Sequence, residues 1–203
     1  MTPIRWFIFD LGGLFVADKG EAIHAAVANH VRVELERWLA AIRPHLGEAT
    51  LGKMTLLQVY TQAVQDLGLT ASPDELLDCH LRLYREFSSH QDQQMLELVR
   101  KLRPRHSVAC LSNLEPEIAA IARASGLFAH FDRCYLSVEL GLKKPDASIY
   151  QAVLRDLGCT AGETVLIDDR SDNVVGAQRV GLNTIRFQSR TQLAKALAKY
   201  TDA

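Results

Sequence analysis

Four polar clusters, far apart in the chain, carry residue types that can do chemistry together: Asp10 followed by Gly12 and Gly13, then Ser112-Asn113, Lys144 and Asp168-Asp169. Singly, each has an ordinary reading as a turn, a helix cap or a solvated loop charge. Together they supply what phosphoryl transfer to a carboxylate requires. Asp10 can attack phosphorus as a nucleophile and form an aspartyl-phosphate. A dianionic phosphate repels that carboxylate, so a divalent cation and a lysine must offset the charge. Magnesium takes one or two carboxylates, water and phosphate oxygen. Asp10 and Asp169 provide the carboxylates and the Gly12 carbonyl a third protein ligand. Lys144 neutralises both Asp10 and the phosphoryl group. The Ser112 hydroxyl and the Asn113 backbone N–H bind phosphate oxygens at the start of the helix that follows.

Such residues meet only if the fold brings them to one place, and the hydrophobic pattern indicates how. Asp10 ends an apolar run over residues 4–9, the pattern of a strand buried on both faces of a parallel sheet. Further strands are predicted at 107–111, 133–136, 164–167 and 184–187, alternating with helices near 95–102, 115–124, 146–157, 173–180 and 192–199. This alternation predicts an α/β fold with a Rossmann-like, doubly wound parallel sheet. In such sheets ligands bind beyond the carboxyl ends of the strands. Every polar cluster falls at such an end or in the loop beyond it.

Between the first two strands the chain offers only helices. Ile23, Val27, Val31, Leu35, Trp38 and Leu39 follow helical spacing up to Pro44, with room for one break, and Gly47 to Lys53 reads as a looser stretch. A second helix runs from Thr55 to Leu67 and stops at Gly68. A third starts at Ser72-Pro73-Asp74-Glu75, with Ser72 as N-cap and Pro73 at the first helical position, and reaches about Phe87. That is too much for one crossover, so residues 17–90 are expected to form an inserted helical cap subdomain, with 1–16 and 91–203 as the α/β catalytic core. Within the insertion His24, His45, Lys53, Tyr60 and Arg82 are possible cleft residues, each with an ordinary reading as helix surface or packing.

Composition narrows the classes of partner. The chain has 203 residues, 48% hydrophobic and 23% charged, with a net charge of −1, so no basic face advertises nucleic acid. The first apolar run is too short for a signal or membrane segment and Asp10 interrupts it, which reads as a cytoplasmic protein without a membrane partner. The four cysteines form no C-x-x-C and read as free thiols, and the seven histidines show no paired metal spacing, so zinc hydrolysis is a poor hypothesis.

The motifs F-D-L-G-G-L at Asp10, L-S-N at Ser112-Asn113, E-L-G-L-K-K-P-D at Lys144 and I-D-D-R-S-D-N-V at Asp168-Asp169 resemble, in order, the four motifs of the haloacid dehalogenase superfamily. The helical insertion is similar to that superfamily's first type of cap. F-D-L-G-G and D-D-x-x-D-N resemble the branch that holds a bacterial sugar-1-phosphate phosphatase and the N-terminal phosphatase domain of soluble epoxide hydrolases. The resemblance implies a magnesium-dependent phosphatase acting on a small, sugar-like phosphorylated metabolite. Asp10 would be its nucleophile, Lys144 its charge-stabilising lysine, Asp169 a metal ligand, and Asp168 and Asn173 would support them. One departure is Gly12, where most phosphatases of the superfamily carry a second aspartate that protonates the leaving group, help worth roughly a hundred- to ten-thousand-fold. Its absence favours good leaving groups or a donor contributed by the cap, with Asp18 and Glu21 as weak candidates. Two other readings stand beside this one: a metal-independent 2-haloacid dehalogenase, and a catalytically silent member that binds a phosphorylated ligand or a protein partner.

Overall fold

A computed structural model of the chain describes residues 2–201. Five parallel strands, β1 (Trp6–Phe9), β2 (Ser107–Ser112), β3 (Arg133–Leu136), β4 (Thr164–Asp168) and β5 (Asn183–Arg186), lie in the order β3-β2-β1-β4-β5. Ten α-helices accompany them: α1 (Gly20–His30), α2 (Leu35–Thr50), α3 (Leu56–Leu67), α4 (Pro73–Ser88), α5 (Gln93–Leu102), α6 (Pro116–Ala124), α7 (Ser137–Leu140), α8 (Ala147–Leu157), α9 (Ser171–Arg179) and α10 (Arg190–Thr201).

The central strands are apolar at successive positions because each side of the sheet is covered. Phe7, Phe9, Val108, Cys110, Val165 and Ile167 point to one face and pack with Met95 and Val99 of α5 and Leu193 and Leu197 of α10. Ile8, Ala109, Leu111 and Leu166 point to the other and pack with Ile149, Tyr150 and Val153 of α8 and Ala177 of α9. Period-two alternation therefore survives as a choice between two buried faces. Full burial of each large side chain contributes roughly 1.5–3 kcal/mol, so the layers hold the strand ends in fixed register. Phe9 is level with Cys110 on one side and Ile167 on the other, which puts Asp10 and Asp168 next to each other at the sheet edge.

The helices between β1 and β2 build a separate apolar cluster around Trp38, Ile42, Leu56, Val59, Tyr60 and Leu76. Helix α4 packs on α6 and α2 on α7, so this bundle lies over the carboxyl side of the sheet. Local signals act as the sequence implies. Thr55 and Gln58 form a reciprocal cap on α3, Gly68 closes α3 in a left-handed conformation, and Ser72 caps α4 ahead of Pro73.

Two expectations are corrected. The run takes its one break at residues 31–34, as the spacing allowed, but it does not stop at Pro44: α2 carries Pro44 in its interior and runs on through Gly47 to Thr50. Pro44 and Ala40, whose carbonyl loses its N–H partner, are both exposed, so that carbonyl is open to solvent. The expected helix over 173–180 begins at Ser171, directly after the acidic strand end. The four cysteines carry no disulfide, as expected. No helix among the described residues is long and apolar enough to cross a membrane.

Candidate active site

The strand order places β1 where the sheet turns from one winding direction to the other, the position at which ligands lodge in such folds. Asp10 follows β1 and is buried, with its backbone N–H donating to the Ile167 carbonyl at 2.9 Å. Its Oδ1 accepts from the Leu11 N–H at 2.7 Å and from the Ser112 hydroxyl at 3.0 Å, and it lies 3.0 Å from the Lys144 ammonium. Three donors thus hold one oxygen. The other, Oδ2, has no hydrogen-bond partner among the described residues and is left for a ligand.

Lys144 is 4% exposed and bridges two carboxylates, reaching Asp168 Oδ2 at 2.7 Å as well as Asp10. Burial alone would strip its proton, but the two carboxylates outweigh that and hold its pKa above the ordinary lysine value. Asp168 is fully buried and accepts from Lys144, from the Asn173 amide at 3.0 Å on both oxygens, and from the Arg170 N–H at 2.9 Å. Its lone pairs are committed to the protein. Burial raises its pKa against the pull of Lys144, with Asp10 adding to the rise.

Asp169 is different. Its carboxylate is half-buried and accepts no side-chain hydrogen bond among the described residues. Burial first, then the charges of Asp10 and Asp168, push its pKa up. One oxygen from each of Asp10, Asp168 and Asp169 lies within 4.8 Å of the others. Three carboxylates against one ammonium leave an uncompensated double negative charge in a confined space, which a divalent cation fits. The glycines divide their work here. Gly13 has φ +73°, and a Cβ on it would come 2.3 Å from Asp169 Oδ2, so any side chain there strains the turn and displaces that carboxylate. A Cβ on Gly12 would meet nothing within 4 Å, so glycine at that position leaves open space beside Asp10.

Ser112, Asn113, Gly12, Lys144, Asp169 and Asn173 all line one cleft of about 540 Å³ with Asp10. The Asn113 side chain has a task that sequence reading missed. Its Nδ2 donates to the Lys144 carbonyl at 2.9 Å and its Oδ1 accepts the Lys144 N–H at 3.0 Å, a two-point clamp that fixes the lysine's backbone. The Lys144 loop is also tightly backed by α9, since a Cβ on Gly176 would stand 2.3 Å from the Pro145 carbonyl oxygen. Of the cap candidates, His24 lines the cleft, and His80, which the sequence reading passed over, lines it too. Tyr60 is packed beneath them. His45 pairs with Asp66 at 3.2 Å, Lys53 with Glu48 at 3.0 Å, and Arg82 lies against Cys79, all away from the cleft. Asp18 lines the cleft and accepts the Gly20 N–H at 3.2 Å, whereas Glu21 is exposed on the first turn of α1.

Comparison with known proteins adds a second line. A family model described as haloacid dehalogenase-like hydrolase matches residues 4–181. The chain is 25% identical over 195 residues to a D-ribitol-5-phosphate phosphatase of Bacteroides thetaiotaomicron, covering 90% of this chain and 91% of the relative. It spans only 17% and 47% of the length of two fungal curated relatives it also matches. Among solved structures, a HAD-like family hydrolase from Porphyromonas gingivalis superposes with a TM-score of 0.78 at 24% identity, covering 98% of both chains. A family enzyme of Bacteroides thetaiotaomicron, crystallised with magnesium and inorganic phosphate, superposes with a TM-score of 0.76 at 22% identity, covering 94% of this chain and 98% of that one.

Proposed function

The chain belongs to the haloacid dehalogenase-like hydrolase family, and from that premise we propose that it is a magnesium-dependent phosphomonoesterase. Its substrate is a small, sugar-like phosphate, and the reaction passes through an aspartyl-phosphate on Asp10. The observation that carries this reading is the asymmetry of the Asp10 carboxylate, which lines the cleft with Oδ1 held by Leu11, Ser112 and Lys144 while Oδ2 accepts no hydrogen bond among the described residues. A nucleophile needs one oxygen fixed and the other free.

Asp169, the Gly12 carbonyl and Asp10 Oδ1, relieved of the Ser112 hydroxyl when that turns to the substrate, would hold the ion. When bound, it would offset the charge of the phosphoryl oxygens and draw electron density from phosphorus. Lys144 supplies the remaining positive charge, oriented by Asp168 and Asn173 from behind and by the Asn113 clamp along its backbone. The Asn113 N–H would receive a phosphoryl oxygen, and so would the Ser112 hydroxyl once its proton turns from Asp10 Oδ1 to the substrate. Asp10 Oδ2 attacks phosphorus while the bond to the ester oxygen breaks, and that oxygen leaves with its electron pair and takes a proton from cleft water. A water then attacks the same phosphorus and gives up its proton to solvent. The Asp10–phosphorus bond breaks, and its electrons return to the carboxylate. Helices α1–α4, within residues 17–90, act as the cap that closes the cleft over the core of 1–16 and 91–203 and excludes bulk water.

Phosphate release from 4-nitrophenyl phosphate tests this reading. Release is expected to need added magnesium, to stop in chelator and to return when the ion is restored. A protein that instead releases halide from chloroacetate in chelator is the metal-independent dehalogenase, a reading that leaves the crowded carboxylates unexplained.

A further inference from the structure

The cleft wall contributed by α1 and α4 carries two imidazoles that the reaction above does not use. His24 and His80 stand edge to face with ring centroids 5.5 Å apart, and both line the cleft that holds Asp10. His80 is 6% exposed, and its Nδ1 lies 2.6 Å from the hydroxyl of Tyr60 on α3. Tyr60 is itself stacked on Trp38 at 5.8 Å. The phenolic proton has no other acceptor among the described residues, so Tyr60 donates, Nδ1 accepts, and the ring proton of His80 sits on Nε2. Among the described residues Nε2 has no hydrogen-bond partner and is not sealed off, and His80 lines the cleft. The Nδ1 of His24 is sealed without a partner. A proton there would be a buried, unmatched donor, which favours the proton on Nε2 of this cleft-lining ring.

Burial disfavours the charged form of both rings, lowering His24 to about 4 and His80, where a protonated His24 would add repulsion, to about 3. At neutral pH too little of either ring is protonated to serve as the acid for a leaving group. Each is a fixed N–H donor. Building on the phosphatase reading, we propose that His80, oriented by Tyr60, and His24 form the leaving-group subsite, whose two N–H donors bind hydroxyl groups of a polyol or sugar phosphate. His80 and His24 are then specificity-determining residues, and Tyr60 is a positioning residue.

A matched pair of esters tests the subsite, ribitol 5-phosphate against n-pentyl phosphate, which has the same chain without its hydroxyls. The wild type is expected to favour the ribitol ester in kcat/KM by at least about 100-fold, since donors left unmatched by the pentyl chain penalise it. His80→Phe and Tyr60→Phe should each shrink that preference by about tenfold or more, mainly through KM for the ribitol ester. Nitrogen-15 shifts of the imidazoles give a readout independent of turnover. They should place the His80 proton on Nε2 in the wild type and show a mixture of tautomers in Tyr60→Phe. An unchanged preference in both variants, no preference in the wild type, or a His80 proton on Nδ1 overturns the subsite while leaving the phosphatase reading in place. No release from either ester or from 4-nitrophenyl phosphate overturns the phosphatase reading and the subsite with it.

Discussion

Asp10→Asn is expected to lower magnesium-dependent phosphate release by roughly 10⁴- to 10⁶-fold, the loss that follows removal of a nucleophile whose partners stay in place. The substitution keeps the shape of the side chain. Its amide oxygen can still accept from the Leu11 N–H and the Ser112 hydroxyl, which meet Oδ1 at 2.7 Å and 3.0 Å in the parent. Lys144 keeps its shorter contact to Asp168, so the buried cation retains a counter-charge. The thermal midpoint should therefore stay close to the parent's while turnover collapses. A folded variant that keeps activity within about tenfold of the parent would remove Asp10 from the chemistry.

Lys144→Met should cost both activity and stability. The substitution removes the cation from two carboxylates, one of them fully buried. Breaking a buried pair in this way typically destabilises by about 3–5 kcal/mol, because the partner is left charged and desolvated. The sign of the pH dependence follows from Asp168. Burial already raises its folded-state pKa, and Lys144 is what pulls it back. Without the lysine the pKa rises further, so the folded variant binds a proton that the unfolded chain releases. Its destabilisation is then small below the ordinary carboxylate range, grows as pH climbs toward the new folded-state pKa, and is complete above it. Urea unfolding at pH 5 and at pH 7.5 checks this, with the larger deficit expected at 7.5. Adding Asp168→Asn should recover part of the lost stability and none of the activity. A deficit independent of pH, or no recovery in the double variant, would mean that the lysine is held by packing and not by charge.

Much of this arrangement was legible in the sequence because it depends on local features. Phe7-Ile8-Phe9 reads as a doubly covered strand from its uninterrupted apolarity, and Asp10 marks where it ends. The convergence of Asp10, Ser112, Lys144 and Asp168 then follows from parallel strands sharing one edge. What escaped depends on contacts between distant segments. The Asn113 clamp joins residues 31 apart, and nothing in an L-S-N tripeptide indicates that its amide will bracket a lysine's backbone. His80 falls among buried positions of an ordinary amphipathic helix, so its turn toward the cleft became visible only with α1 and α3 beside it. Pro44 read as a stop signal because its cost was judged in isolation, whereas on an exposed helix face the carbonyl it orphans is open to solvent. The short helix α7 is a single turn between β3 and the Lys144 loop, too brief to leave a periodic signature.

The gap at Gly12 shapes the chemistry as much as the residues present. With no carboxylate there to protonate the departing oxygen, acceleration would rest on the Asp10 carboxylate, the Lys144 charge and the ion that Asp10 and Asp169 would hold. Esters with less basic leaving groups should consequently be turned over faster.

The aspartyl-phosphate can be sought directly. Enzyme mixed with magnesium and 4-nitrophenyl phosphate, quenched in acid during turnover and reduced with borohydride, should show the acyl-phosphate reduction product in the peptide bearing Asp10. The label should vanish when chelator is added before substrate. Continued phosphate release with Asp10 unmodified, or with the label on another residue, would contradict the mechanism at its centre.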